Sequence, residues 1–428
     1  MTDTLALEQK TRTNPSPIHV LRNRNFRLLW IGEGISLLGD QFYLIALPWL
    51  VLSLTGDALA VGTVLAAAGI PRALFMLVGG ALTDRFTPRR LMINSNLARM
   101  ALTGLLAALV ATNQIHLWML YISALLFGLA DAFFFPAQTS IVPKIVDRDQ
   151  LQAGNAMIQG TAHLSIFVGP LLAGLLVAWL DGGATRSTFG IALAIAIDSL
   201  SFLASVAALG LIKIENAGAR AGKANGGVLA SIREGLLYVW NDATLQMVIP
   251  ITLGLNILIN GPFAVGVPVL ARTRFPEGAA AFGLILSLFG GGALLGTVLA
   301  GALPKLSKKM LGTISLSVIS VMGIGLAVIG IAPTMYIAAT AALVMGTANG
   351  YANINLITWL QQKVAPEMTG RVMSLVMFAA IGLNPVSTAL AGVLIGLDTT
   401  ILLVCAGLLM TLFTLSAAFS PAVRAGME

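Results

Sequence analysis

The sequence contains little charge, one cysteine and three histidines. Charged residues make up 10% of its 428 residues, against about 25% in a soluble globular chain. The single Cys405 excludes an intramolecular disulfide, and no group of histidines and cysteines is available to hold a metal. No Gly-x-x-x-x-Gly-Lys-Ser/Thr phosphate loop occurs, which argues against nucleotide hydrolysis by this chain. These absences predict a protein that is not an enzyme and has no cofactor.

Apolar residues are abundant instead, at 57% of the chain, with a mean hydropathy of +0.89. They recur in runs of about 20 to 25 residues, long enough to cross a bilayer of about 30 Å as helices. The runs do not alternate apolar and polar residues as barrel strands do. The sequence therefore predicts an all-α integral membrane protein with twelve spans, at about 26–52, 58–82, 91–112, 117–140, 154–180, 188–212, 245–270, 280–303, 311–331, 335–358, 372–397 and 400–420.

Basic residues are concentrated in alternate loops. Most of the 25 Lys and Arg residues lie in the two tails and after the even-numbered spans, whereas the opposite loops contain only Arg186, Arg272 and Arg274. By the positive-inside rule, we expect both termini in the cytoplasm and a multi-pass protein of the cytoplasmic (inner) membrane. This distribution accounts for the net charge of +7 without a nucleic-acid partner.

The chain divides into two similar halves. A tail over 1–25, too polar for a signal peptide, precedes a six-helix bundle over 26–212; a cytoplasmic linker over 213–244 leads to a second bundle over 245–420 and a tail over 421–428. "GALTDRFTPRRL" begins at Gly80 after span 2, and "GALPKLSKKML" begins at Gly301 after span 8. Gly128-Leu-Ala-Asp131 and Gly346-Thr-Ala-Asn349 repeat at almost the same separation. The repeats predict two pseudo-symmetric bundles with a substrate site between them.

The first of these segments resembles the signature loop of the major facilitator superfamily. Thr87 and Pro88 stand where the family often has Gly and Arg, and the matching residues are Gly80, Leu82, Asp84, Arg85, Arg89 and Arg90. The run from Gly169-Pro170 to Gly174 is similar to the Gly-Pro motif of the family's exporters, with a kinked packing face as the alternative. Segments of spans 1 and 6 look like the branch that includes macrolide efflux pumps and the enterobactin exporter.

The resemblance also implies a role for the loop. In the family its aspartate lies against the N-terminus of helix 11, which would place Asp84 near residues 369–371. Its arginines would bridge to acids after helix 4, for which Asp147 and Asp149 are the candidates. Together these contacts would latch the cytoplasmic side shut in the outward-open state.

Six acidic or arginine residues lie in the interior of predicted spans, all in the first half. Such residues are costly to insert and are functional candidates for that reason. Asp40 and Arg72 fall near the same depth, where we expect them to meet, and Glu33 is two turns from Asp40 on one face. The proton-coupling candidates are Asp40, Glu33 and Asp131, with Arg72 and Arg99 as charge partners. Asp198 ranks last because helix 6 usually lies outside the cavity in this superfamily; a fixed ion-pair network is the alternative for all four acids.

The second half has amides in place of charges. In the superfamily helices 7 and 10 line the cavity, and Asn256 and Asn260 share a helix face by their spacing. We therefore expect hydrogen bonding to substrate in this half, with bonding between helices as the alternative. The substrate-cavity candidates are Asn256, Asn260, Asn349, Asn353 and Asn384.

Together these features predict a secondary active transporter. The resemblance favours a monomeric multidrug efflux pump that exchanges protons for amphipathic or lipophilic compounds, such as macrolides or siderophore-like molecules, by alternating access. A symporter that imports a small solute, a lipid or lysolipid translocator and a non-transporting membrane sensor stay open as alternatives.

Overall fold

The computed structural model describes residues 20–85, 87–147, 150–181, 188–213, 234, 237–303, 308–364, 368, 372, 375–376, 382–396 and 398–418. Within these residues the regular structure is helical throughout. In the first half, α1 begins after Asn23, whose side chain accepts hydrogen bonds from two backbone N–H groups, and ends at Gly56 with φ of 67°. The helices of this half are α1 Arg24–Thr55, α2 Ala58–Arg85, α3 Pro88–Ala111, α4 Leu117–Ile141, α5 Leu151–Asp181 and α6 Phe189–Leu211.

The second half begins with an irregular helix. In α7, a π-helical turn over Asn256–Asn260 joins Ala243–Leu255 to Gly261–Arg274. The helices that follow are α8 Ala279–Ala302, α9 Lys308–Ile331, α10 Met335–Lys363, α11 Asn384–Ile395 and α12 Thr399–Ala418. Their bounds match the predicted spans closely, except that α11 is described only over its second part.

The described helices have the length and composition of membrane spans. Nine are long and apolar enough to cross a bilayer, and Ser317–Ile331 and Asn384–Ile395 are shorter apolar helices. Because apolar helices satisfy their own backbone hydrogen bonds in lipid, this supports a multi-pass integral membrane protein. The total of twelve spans and the cytoplasmic position of both termini stay predictions.

The two halves pack their helices in the same pairs. In the first half α2 packs on α4 and α3 on α6; in the second, α8 packs on α10 and α9 on α12. The repeated motifs occupy equivalent places in this packing. A Cβ on Gly128 would collide with the carbonyl oxygen of Ala68 on α2, and one on Gly346 would collide with that of Phe289 on α8. Glycine thus allows the same close helix approach in both halves.

Among the described residues, the halves meet mainly through two pairs of helices, α2 with α11 and α5 with α8. A Cβ on Gly62 would lie 3.0 Å from the Cα of Gly392, and a Cβ on Gly174 would lie 3.0 Å from the Cα of Gly283. Both glycine pairs lie towards the end of the molecule where α1, α5 and α7 finish. Arg272 at the end of α7 also donates a hydrogen bond to Ser53 Oγ of α1 at 3.2 Å. This end, which the positive-inside rule assigns to the outside, is held closed by backbone contact.

Candidate functional site

Asp131 of α4 binds two cations. Its Oδ2 lies 2.6 Å from Nη2 of Arg72 on α2, and its Oδ1 lies 3.3 Å from Nη1 of Arg99 on α3. The close contact of Gly128 with α2 brings α4 near enough for the first of these pairs. Both predicted charge partners thus pair with Asp131. Arg72 lies in the same cluster as Asp40, with which it interacts electrostatically, but its ion pair is with Asp131 rather than Asp40.

Arg99 is buried among aromatic rings. It is 2% exposed, and its guanidinium carbon lies 4.0 Å from the ring centre of Phe134 and 4.6 Å from that of Phe202. Such stacking stabilises a cation away from water. Its Nη2 also donates a hydrogen bond to Oδ1 of Asn96. Arg99 thus joins α3 to α4 and α6 through one charge.

Glu33 of α1 is 2% exposed and accepts two hydrogen bonds. Gln138 of α4 donates to its Oε2 at 2.7 Å, and Ser205 of α6 donates to its Oε1 at 3.1 Å. Ser205 accepts in turn from Asn96 at 2.9 Å, and Asn96 is bonded to Arg99. A continuous hydrogen-bonded chain therefore links Glu33 with the ion pairs of Asp131.

Three members of this chain were missed in the sequence, namely Asn96, Gln138 and Ser205. Each lies on the same helix face as a charged residue: Asn96 is one turn from Arg99, and Gln138 is two turns from Asp131. The spacing of these residues from a charged residue on the same helix was the signal in the sequence that could have identified them. Polar uncharged residues are common in the spans, however, and the spacing alone does not show which of them face a charge.

Asp40 and Asp198 lie beside the same cluster. Asp40 is partly exposed, whereas Asp198 of α6 is 0% exposed. Asp198 faces α1, because a Cβ on Gly39 would lie 3.3 Å from the Cα of Asp198, and the two aspartates interact electrostatically. Asp198 thus belongs to the same cluster of buried charges, and its low rank as a proton carrier is not tested by this position.

The amides of the second half occupy different environments. Asn256 is 0% exposed within the π-helical turn, where its carbonyl oxygen accepts a hydrogen bond of 2.7 Å from Ser387 of α11. Asn260, the next candidate on α7, is exposed, so the two do not form the uniform face that their spacing suggested. Asn349 is partly exposed, and Asn353 and Asn384 are exposed. Their role in a substrate cavity stays a prediction.

The Gly-Pro motif of α5 is a packing surface. A Cβ on Gly169 would lie 2.5 Å from side-chain atoms of Gln41 on α1. Gly174 packs on Gly283 of α8, and a Cβ on Gly283 would collide with the carbonyl oxygen of Pro170. The motif thus joins α5 both to its own half and to the other half, which supports the packing interpretation.

The signature loop is described only in part. The side chains of Asp84 and Arg85, the surroundings of Gly80, the residue Asp149 and residues 369–371 lie outside the described part of the chain. Arg89 donates hydrogen bonds of 2.6 Å to the carbonyl oxygens of Leu209 and Gly210 at the end of α6, where a cation complements the helix dipole. Asp147 and Arg90 are exposed in this conformation. The latch is expected in the outward-open state, so the bridge from the loop arginines to Asp147 or Asp149 stays a prediction.

Known proteins resemble this chain over most of its length. The family model of the Major Facilitator Superfamily matches residues 29–383. The chain belongs to this superfamily. Among curated relatives, macrolide efflux protein A of Streptococcus pyogenes is 24% identical over 383 residues, covering 88% of this chain and 92% of the relative. Multidrug efflux pump Tap of Mycobacterium tuberculosis is 27% identical over 398 residues, covering 89% and 91%.

Solved structures confirm the superfamily fold. A crystal structure of the nucleoside transporter NupG aligns with a TM-score of 0.71 at 13% identity, covering 94% of this chain and 100% of that one. A bacterial homologue of the iron transporter ferroportin in an inward-facing state aligns with a TM-score of 0.66 at 16% identity, covering 93% and 99%. At these identities the likeness shows the fold alone. The superfamily consists of membrane transporters rather than enzymes, so the chain is a transporter of small molecules with relatives among efflux pumps.

Proposed function

We propose that this superfamily member is a proton-driven antiporter that exports amphipathic or lipophilic compounds from the cytoplasm. The observation that carries the proposal is the hydrogen-bonded chain from Glu33 to Asp131. It places a buried acid of α1 in contact with α3, α4 and α6, so a change in its charge acts on four helices at once. The names of the macrolide and multidrug efflux relatives support the export of drug-like compounds.

Protonation of Glu33 would rearrange these contacts. As a carboxylate, Glu33 accepts from both Gln138 and Ser205; as a neutral acid, it has one proton to donate and needs an acceptor in place of one of these donors. In this proposal Asp40, which is on the same face of α1 and partly exposed, exchanges protons with the space between the halves. Proton binding therefore alters how α1 packs on α4 and α6. This change in packing would shift the first half relative to the second.

The closed end of the molecule supplies the gate for alternating access. The glycine pairs Gly62–Gly392 and Gly174–Gly283 join the halves at that end. Separation of α2 from α11 and of α5 from α8 would open it, while the other end closes around the signature loop. In this proposal the protein acts as a monomer in the inner membrane with cytoplasmic termini, and the amides of the second half hold the substrate by neutral hydrogen bonds.

The test is transport in proteoliposomes with an imposed pH gradient and a radiolabelled macrolide. Wild type should accumulate the macrolide against its gradient, and an uncoupler should abolish the accumulation. Glu33→Gln should lose proton-driven accumulation. Glu277→Gln is the matched control, because Glu277 is an exposed acid in the loop after α7, and it should transport normally.

Other outcomes would identify the alternatives. Proton-driven macrolide flux that is unaffected by Glu33→Gln would contradict the role of that acid. Cotransport of a solute with protons into vesicles would indicate a symporter, and movement of labelled lysolipid without macrolide flux would indicate a lipid translocator. Macrolide binding without any flux would indicate a sensor.

A further inference from the structure

Asp198 is a buried acid whose carboxylate has no partner among the described residues. It is 0% exposed, and neither Oδ1 nor Oδ2 has a hydrogen-bond donor. A carboxylate that is removed from water is stable only when it is paired and hydrogen-bonded. A protonated carboxyl in the same place carries no charge, so its removal from water costs far less free energy. The surroundings of Asp198 therefore fit a neutral acid.

A donor without an acceptor lies in the same cluster. Nε of Arg99 is buried without a hydrogen bond in the described structure, and Arg99 and Asp198 interact electrostatically. Buried polar groups are paired in the great majority of cases. An unpaired donor and an unpaired acid in one buried cluster thus indicate that they meet in another conformation.

The charges of the cluster balance in the described conformation if Asp198 is neutral. Among its four acids, Asp131 and Glu33 receive the hydrogen bonds and ion pairs that the structure gives. Two ionised acids neutralise Arg72 and Arg99, which leaves Asp40 and Asp198 to carry protons. The contact of Asp131 with Arg72 is 2.6 Å and that with Arg99 is 3.3 Å, so Asp131 keeps its closer cation when Arg99 moves away.

The other helices packed on α6 present few further charges. From α1 come Glu33, Asp40 and Tyr43, and from α3 comes Arg99. Arg89 of α3 also contacts α6, but at Leu209 and Gly210, about 16 Å along the helix from Asp198. From α5 come His163, which is partly exposed, and Asp181, whose Oδ1 accepts from the backbone of Gly190. Arg99 is therefore the cation on hand for an ionised Asp198.

We propose that Asp198 is a second proton-binding carboxyl of this transporter, and that Arg99 switches from Asp131 to Asp198 when the proton leaves. The proposal rests on the proposed proton coupling. Asp198 gives its proton to the carboxylate of Asp40, after Asp40 has released its own proton to the space between the halves. Arg99 then neutralises Asp198, and Asp131 retains Arg72. In both conformations Asp131 keeps an arginine and Glu33 keeps its hydrogen bonds from Gln138 and Ser205, while Asp198 is either protonated or paired with Arg99.

The first test needs no transported compound. Infrared spectroscopy of the full-length protein in lipid nanodiscs would be recorded near neutral pH for wild type, Asp198→Asn and Asp40→Asn. Wild type should show the C=O stretching band of a protonated carboxylic acid in a dry environment. Asp198→Asn should lose this band, and Asp198→Glu should retain it at a shifted frequency. A band unchanged by Asp198→Asn, or no such band in wild type, would overturn the proposal.

Thermal unfolding separates this role from a structural one. Because an amide resembles a neutral carboxyl in shape and charge, Asp198→Asn should keep the melting temperature of wild type, whereas Asp131→Asn should lower it. An equal loss in both variants would mean that Asp198 is a fixed ionic partner, against the proposal.

The last test counts protons per macrolide in proteoliposomes. Asp198→Asn should move about one proton fewer per macrolide than wild type and turn over more slowly, because Arg99 has no second acid to bind. An unchanged proton count would contradict the switch. If wild type shows no proton-driven flux at all, the proposed function fails, while the infrared band still decides whether Asp198 holds a proton.

Discussion

At the scale of single residues, the buried charges of the first half differ in how much water reaches them. The side chain of Arg99 is 3% exposed and that of Arg72 is 43% exposed, although both pair with Asp131. The cost of removing one partner of an ion pair depends on whether the other is left buried without water. The two arginines are therefore a natural matched pair for mutation.

We predict that Arg99→Gln destabilises the protein far more than Arg72→Gln. Loss of Arg99 removes an ion pair, a hydrogen bond to Asn96 and stacking on three Phe rings, and should cost on the order of 3 kcal/mol of unfolding free energy. Loss of the half-exposed Arg72 should cost about 1 kcal/mol or less. Chemical denaturation of both variants in the same detergent would measure the difference, and equal losses would contradict the central position of Arg99.

The sequence was informative about which residues are charged within spans, and less so about their partners. Intramembrane charge is rare enough that Glu33, Asp131 and Arg99 stand out by residue type alone. The choice of Asp131 over Asp40 as partner of Arg72 depends on how closely α4 approaches α2 at Gly128, a tertiary distance. The surroundings of Asp198 could not be predicted for the same reason, since the packing of α6 on α1 decides what it faces.

At the scale of helices, the closed end depends on two crossings where backbones touch. At both, a side chain larger than hydrogen would meet the backbone of the opposite helix, as at Gly283 against Pro170 and Gly174.

Helix bounds could be predicted from the apolar runs, because the length of a span is set by the bilayer. The π-helical turn of α7 and the contacts between halves could not, because they depend on tertiary packing and on the conformation adopted.

We predict that Gly283→Leu opens the closed end. The added side chain would force α8 away from α5, which favours a conformation in which the two are apart. Spin labels at positions 57 and 277, both exposed in loops at this end, would report the separation by double electron–electron resonance in a Cys405→Ser background. The distance between the labels should lengthen.

Gly160→Leu on α5 is the control for this experiment. A Cβ on Gly160 would meet nothing within 4 Å, so the larger side chain should leave the label separation as it is in wild type. If Gly283→Leu also left the separation unchanged, the glycine crossing would not control this end of the molecule.

At the scale of the whole molecule, the two halves share a packing scheme but differ in charge. Helix pairs repeat from one half to the other, and the repeated motifs ending in Asp131 and Asn349 show that one copy has an acid where the other has an amide. A repeated fold whose intramembrane acids all lie in one copy suits a division of labour. The first half would handle protons, and the second would bind substrate without competing for charge.

The difference in residue type between the halves could be read from the sequence, because it depends on residue types in repeated positions; the division of labour stays a prediction. The place where substrate binds could not be predicted. Asn256 is buried against α11, whereas Asn353 and Asn384 are exposed, and the spacing of these asparagines does not indicate which of them are exposed. Membership of the superfamily fixes the fold around these residues but does not identify the transported compound.

The most direct test of proton coupling is proton movement driven by substrate alone. Proteoliposomes containing a trapped pH-sensitive dye, with no imposed pH gradient, would receive an outwardly directed macrolide gradient. The account predicts that wild type moves protons against the direction of macrolide flux, and that Glu33→Gln does not. Macrolide flux in wild type without any change in internal pH would contradict the central claim.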